Sequence, residues 1–222
     1  PEAFEALTRV TDLELQELDD WDAAADCMFI PFDDELGINP QDSEFLELEP
    51  WDWETTPPEN FPLLLHYHPL VIYRHQVLKQ ADVVMAMFLR CESFDPDDQR
   101  RNFDYYDAIT TGDSSLSACV QSIVAAQVGH LPLALDYFEQ SLYLDLADTH
   151  RNTNDGVHIA NAGGVWAALV HGFGGVRDTP GALRISPRLP DGWDGLRFRL
   201  WRGGADVATS KSPTGIPPSA TR

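Results

Sequence analysis

Three polar clusters in this chain could hold an oxygen-rich ligand: Lys79-Gln80, then Thr110-Thr111-Gly112-Asp113-Ser114-Ser115, then Asn154-Asp155-Gly156-Val157-His158. Lysine, glutamine, serine and imidazole are hydrogen-bond donors suited to sugar hydroxyls and to anions such as phosphate. The second and third clusters stand directly before stretches with helical apolar spacing. A helix amino terminus presents unpaired N–H groups and a partial positive charge, so serines or a histidine placed there can cradle a phosphate. A plainer use is open to each. Asp113, Ser114 or Ser115 can simply cap a helix, Lys79 can pair with Asp82 or reach solvent, and His158 can be a satisfied buried histidine. His66 and His68 would suit a metal only on a strand, which Pro62 and Pro69 oppose, so no metal is expected.

These clusters need elements to position them. Residues 2–25 carry apolar and acidic positions at helical spacing, which predicts one or two amphipathic helices. From 29 to 62 the prolines at 31, 40, 50, 57, 58 and 62 forbid helix interiors and predict a long structured loop. A wide apolar stripe (Val71, Ile72, Val77, Leu78, Ala81, Val84, Met85, Phe88) predicts one buried helix over 70–90, with Lys79 and Gln80 inside it. Residues 100–115 read as polar and aromatic. Further helices are predicted over 116–128, from Pro132 to about 146, and over 159–170 with an end at Gly172. After Gly174-Gly175, apolar and basic residues alternate over 182–185 and 196–201, the period of half-buried strands. From 210 to 222 there is no periodicity, and a disordered tail is expected over 206–222.

Composition excludes some partners. The formal charge of -21, from 36 acidic and 15 basic side chains, repels a phosphate backbone, so neither nucleic acid nor an anionic membrane is expected. Cys27, Cys91 and Cys119 are three and widely spaced, which suggests neither a disulfide framework nor a zinc knuckle and fits a reducing compartment. No apolar run approaches the roughly 20 residues that span a bilayer, and no signal peptide is visible. A cytoplasmic location is the expectation.

Three strings add to this reading: YRHQVLKQADVVMAMF over 73–88, FDYYDAITTGDSSLSACVQSIVAAQV over 103–128 and NTNDGVHIANAGGVWAALVHGFGGVR over 152–177. In order and spacing they resemble consecutive signatures of glycoside hydrolase family 65, and LRISPRLPDGWDGLRF over 183–198 resembles the start of that family's carboxy-terminal β domain. The resemblance covers roughly residues 27 to 205. It implies a mainly α fold: the carboxy-terminal part of an (α/α)6 barrel over 1–177, then the start of a small β domain over 178–205. It also implies that Lys79 and Gln80 contact the glucosyl unit, and that Ser114, Ser115 and His158 surround phosphate. Two positions depart from the family's habit: Gly112 stands where histidine is common before Asp-Ser-Ser, and Asn154 where an acidic residue is frequent.

The activity the resemblance implies is inverting phosphorolysis of an α-glucosidic disaccharide, with inorganic phosphate as co-substrate and no other cofactor. The general acid, a glutamate, is expected upstream of this region, so no catalytic residue is assigned here. Glu44, Glu47, Glu49 and Glu54 in the long loop are expected to be solvated. A homodimer is compatible with this reading. The alternatives are an inverting α-glucosidase or trehalase of the same family, and, in another class, a non-catalytic sugar-binding helical module. Exposed apolar surface where further helices should pack would count against that last reading.

Overall fold

The computed structural model describes residues 15–179, 182–202 and 205–211. In chain order the elements are α1 (Leu15–Asp26), β1 (Glu49–Pro50), α2 (Leu63–His66), α3 (Pro69–Ile72), β2 (His75–Gln76), α4 (Asp82–Leu89), α5 (Pro96–Ile109), α6 (Ser117–Val128), α7 (Leu131–Tyr143), α8 (Ile159–Ala167), then β3 (Val176–Thr179), β4 (Ala182–Ile185), β5 (Leu196–Arg202) and β6 (Ala205–Lys211). Short 3-10 turns punctuate the loops, and α8 runs on into a π-helical turn, Ala168–Phe173. Of the helices expected over 2–25, only α1 lies within the described residues.

Helix α6 is the centre. Ser117, Cys119, Gln121 to Ala126 and Val128 are all buried, so it is apolar nearly all round, as a helix enclosed on every side must be. Helix α8 runs parallel to it: a Cβ at Gly164 would lie 2.5 Å from Cys119 Sγ, and one at Gly172 would lie 3.3 Å from Ile123 Cα. Helix α4 is parallel too. Its approach is tied to the start of α6 by Ser117 Oγ donating to the Lys79 carbonyl (3.2 Å), and its far end carries Phe88 beneath the Arg177 guanidinium, 5.4 Å from the ring centre.

Helices α5 and α7 return the chain in the opposite direction. Gln121 bonds Asp107 of α5 (2.9 Å) near one end, while Gln127 bonds Gln99 at the other. Ser122 bonds the Ala134 carbonyl of α7 (2.7 Å), and Asn161 of α8 bonds that of Ser141 (2.8 Å). The result is an inner row of three parallel helices and an outer row of two antiparallel ones. Val84, Met87, Phe103, Tyr106, Ile123, Val124, Phe138 and Phe173 fill the space between.

The single helix expected over 70–90 is broken, and Lys79 and Gln80 lie in the bend before α4 rather than within a helix. Tertiary backbone pairing wins over local propensity: β2 pairs in parallel with β1, and the Leu78 N–H and carbonyl are taken by Ile109 and Thr111 (2.9 and 2.8 Å). With those groups committed, no helical ladder can run through 75–81.

Residues 100–109 belong to α5, a helix the reading of that stretch as polar and aromatic missed. Asp95 caps it by accepting from the Asp97 and Asp98 amides (2.8 Å each), with Pro96 in its first turn. Buried Phe103 and Tyr106 give its inward face.

Tyr106 has no exposed surface, and its hydroxyl donates to the Asn39 carbonyl (2.6 Å), pinning the proline-rich loop to α5. Burial pushes its phenol pKa upward from 10.0. Tyr106→Phe should cost about 1–2 kcal/mol, the cost of leaving a buried carbonyl unpaired, and a lowered urea midpoint at unchanged slope would register it.

The cap expected for α6 is different. Leu116 precedes the helix without a side-chain hydrogen bond; Asp113 instead accepts from the Leu63 amide (3.2 Å), and Ser114 Oγ accepts from the Leu116 amide (3.3 Å).

Beyond the helices, β3 pairs with β4 and β5 with β6, each antiparallel. Strand β6 occupies 205–211, where a disordered tail was expected from 206. Its register runs from Leu196↔Lys211 to Arg202↔Ala205, so the alternating β5 finds a partner for its whole length. Residues 212–222 lie outside the described residues.

At the carboxy-terminal ends of the inner helices a buried polar chain forms. Arg177, 7% exposed, donates to the His171 and Val176 carbonyls (2.5 and 2.8 Å) and to Gln127 Oε1. Gln127 Nε2 donates to Gln99 Oε1, and Gln99 Nε2 donates to the Cys91 and Phe94 carbonyls (3.0 and 2.9 Å).

Candidate functional site

Because α4, α6 and α8 are parallel, their amino ends lie on one side of the molecule, and each is preceded by one of the three polar clusters. Lys79-Gln80 enter α4, residues 110–115 enter α6, and residues 154–158 enter α8. The first two are held directly together by the Leu78–Thr111 and Lys79–Ser117 hydrogen bonds. Lys79 also lines a cleft of about 900 Å³ with Gly112, Asp113, His66, His150 and Arg151, roofed by Phe61 and Leu65. Gln80 lines a separate recess of about 60 Å³ beside Leu116 and Ser117. Lys79 and Gln80 are exposed, and Ser114 and Ser115 are half-buried in the turn that opens α6.

His158 stands immediately before α8 and is held on two atoms by one carboxylate. Asp145 Oδ1 lies 2.6 Å from its Nδ1, and Asp145 Oδ2 accepts its backbone N–H at 2.8 Å. The other ring nitrogen, Nε2, is 3.3 Å from Asn152 Nδ2. The His158 side-chain bond, followed by the backbone bond, holds the Asp145 carboxyl below its ordinary 3.8, so it is ionised at neutral pH. A carboxylate on Nδ1 fixes the imidazole orientation and points Nε2 away from itself, the arrangement that makes a histidine a positioned proton donor or acceptor.

The loop carrying this pair is tightly wound. Asp148 and Arg151 adopt left-handed backbone conformations (φ 48° and 55°), which cost a residue with a Cβ roughly 1–2 kcal/mol. Asp148 offsets part of that by accepting from the Thr153 amide (3.1 Å).

Asp145 is a candidate site residue that the sequence did not disclose: it follows α7, 13 positions before its partner, with no local motif to mark it. His150 and Arg151, which also line the cleft, stand before the third cluster and carry no sequence signal of their own. His68 turns out to be a cap, its Nδ1 accepting from the Leu70 amide (3.1 Å), while His66 ends α2 at the cleft. Among the described residues no three His, Cys, Asp or Glu side chains are grouped as metal ligands. Glu44, Glu47, Glu49 and Glu54 are exposed, away from the cleft lining.

Gly112, where the family commonly has histidine, has φ +70° and nothing within 4 Å of a Cβ built on it. Histidine is among the residues that tolerate this conformation better than most, and its Cβ would meet no neighbour here.

Helical hairpins with their polar turns gathered at one end, continuing into antiparallel strands, are the architecture of part of an (α/α)6 barrel followed by the start of a small β domain. The chain belongs to glycosyl hydrolase family 65: residues 2–167 match its central catalytic domain and residues 176–204 its C-terminal domain. It is 45% identical over 215 residues to the α,α-trehalose phosphorylase of Geobacillus stearothermophilus, covering 97% of this chain and 28% of that one. It is 36% identical over 192 residues to the kojibiose phosphorylase of Halothermothrix orenii, covering 86% of this chain and 25% of the relative. A solved structure provisionally assigned as a kojibiose phosphorylase from the human microbiome superposes with a TM-score of 0.81 at 28% identity, over 94% of this chain and 28% of that one. The chain thus spans about a quarter of the length of the curated relatives it matches. Among the described residues no helix is long and apolar enough to cross a membrane.

Proposed function

We propose that this chain supplies the sugar- and phosphate-contacting end of an inverting disaccharide phosphorylase. The observation that carries the reading is the gathering of donors at three parallel helix amino ends, with His158 held on two atoms by Asp145. Lys79 and Gln80 hold the glucosyl unit. Ser114, Ser115 and His158 hold inorganic phosphate, aided by the partial positive charge at the starts of α6 and α8. Phosphate attacks the anomeric carbon from the face opposite the leaving group. A carboxylic acid contributed from outside these residues protonates the glycosidic oxygen, and the products are β-glucose 1-phosphate and a free sugar.

An inverting hydrolase would need a second carboxylate to activate water at the position phosphate takes here. The serines of this cluster, and His158 Nε2 when it carries a proton, are donors for an anion instead, which favours phosphorolysis. Identity favours α,α-trehalose as the disaccharide, at 45% to a trehalose phosphorylase against 36% to a kojibiose phosphorylase. A free-standing sugar-binding module fits less well. Ile159 and Trp166 are exposed along one face of α8 with Ala162 and Gly163 between them, an apolar stripe that an independent module would cover.

The test is product release from trehalose, maltose, kojibiose and nigerose by the full-length protein, with and without phosphate. Phosphate-dependent glucose 1-phosphate is expected, reduced about 10²-fold in Ser115→Ala by loss of a donor to the attacking anion. Glucose release that ignores phosphate would identify a hydrolase and end the phosphorylase reading.

A further inference from the structure

At the end of the inner helices opposite the substrate cleft lies a second cavity, of about 640 Å³, between the α4–α5 connection, the end of α6 and the β3–β4 hairpin. Three arginines line it: Arg177, Arg184 and Arg188. Arg177 and Arg184 are directly opposed across the β3–β4 pair, a placement in which like charges destabilise a sheet. Arg188 bonds the Ala126 carbonyl (3.1 Å) and that of Gln127 at the end of α6.

None of the three has a carboxylate partner among the described residues. The one acid in the lining, Glu92, is engaged by Arg90 at 2.9 Å. Arg177 is more than nine-tenths buried; its hydrogen bonds go to neutral carbonyl and amide oxygens, the Cys91 thiol and the Phe88 ring face its guanidinium, and its Nε is left without a hydrogen-bond partner. The carboxy-terminal ends of α4, α6 and the turn after α8 reach this side, and their partial negative charge offsets only part of the positive charge of the arginines around an open cavity.

We propose that this cavity is a binding site for a small phosphate-bearing anion, distinct from the phosphate position proposed at Ser114, Ser115 and His158. A phosphate group complements this arginine-lined wall, because arginine forks bind it through paired N–H groups. Thr179 and Ser186 add hydroxyl side chains to the lining, so a sugar phosphate fits as well as free phosphate. A ligand here bridges the hairpin to the ends of α4 and α6 and relieves the Arg177–Arg184 repulsion.

The experiment is equilibrium binding of radiolabelled inorganic phosphate, and separately of glucose 1-phosphate, to the full-length protein, its Ser115→Ala variant and its Arg184→Ala/Arg188→Ala double variant. Both arginines are exposed, and Arg184→Ala alone serves as the second variant should the double one unfold. Two sites per chain are expected in the parent, with the arginine variants weakening one at least tenfold and sparing the one that Ser115→Ala removes. The probe with the tighter arginine-dependent site identifies the source of the phosphate. Binding unaffected by the arginine variants overturns the proposal; this is also the outcome if another segment of the longer chain fills the cavity. Binding lost with the arginines but indifferent to Ser115→Ala would uphold this site while removing support from the cleft assignment.

Discussion

Replacing Asp145 by alanine in the full-length enzyme should lower kcat/KM for phosphate by about 10²-fold, close to the loss expected from removing His158 itself. The reason is that Asp145 bonds both Nδ1 and the amide of His158; without it the ring is free to turn and the first amide of the α8 entrance is unpaired. Asp145→Asn separates orientation from charge, because the amide oxygen can still accept one of the two bonds. It should recover part of the loss, whereas a purely structural role would show equal melting-temperature drops and no selective effect on phosphate.

The pH dependence has a definite sign. The Asp145 carboxyl is held below its ordinary 3.8 in the folded protein by His158, so the stability it contributes is fully present above that value. It is lost as pH falls through the folded pKa. The stability difference between parent and Asp145→Asn should therefore narrow in acid, as the parent carboxyl takes up its proton. A difference that grew in acid would refute the pairing.

Gly175→Ala is expected to be the most destabilising single-methyl change in the described structure, at about 3–4 kcal/mol. Gly175 has φ +63°, and a Cβ there would overlap the Ser186 carbonyl. Its neighbours are backbone rather than a yielding side chain: its own carbonyl accepts from the Ser186 amide (3.1 Å) and its amide donates to Gly172 (3.2 Å). The β3–β4 hairpin would have to lift from the end of α8. Gly112→Ala is the control, with a similar φ of +70° and open space, so it should carry only the backbone cost of about 1–2 kcal/mol. Chemical denaturation of the two variants side by side measures the contrast; equal losses would mean that the overlap with Ser186 relaxes freely.

The parts of this fold that could be read from the sequence are those decided locally. Helices α6, α7 and α8 announce themselves by apolar spacing, Pro132 and small residues, and β4 and β5 by alternation. The break at 75–81 could not be read, because it is caused by Ile109 and Thr111 taking the Leu78 backbone groups, partners more than 30 positions away. Helix α5 was legible in principle: Asp95-Pro96 followed by two acids is a strong start signal, masked by the polarity of its outward face.

The site divides the same way. The donors stood out as polar clusters before helices, but nothing in the order of residues says that the three helices are parallel, and that is what puts Lys79, Ser115 and His158 at one end. Asp145 was invisible because its role exists only once the 144–158 loop has closed on itself.

The buried chain from Arg177 through Gln127 to Gln99 has a direction: each member donates to the next, ending on the Cys91 and Phe94 carbonyls. An apolar interface between α5, α6 and β3 would tolerate a slip of one helical turn at modest expense, since one methyl surface is much like another. Here a slip would set donor against donor and leave the buried Gln99 and Arg177 side chains unpaired. The three elements are thus indexed against one another as by a key, and substituting the chain with aliphatic side chains of equal volume should preserve packing while allowing more than one alignment.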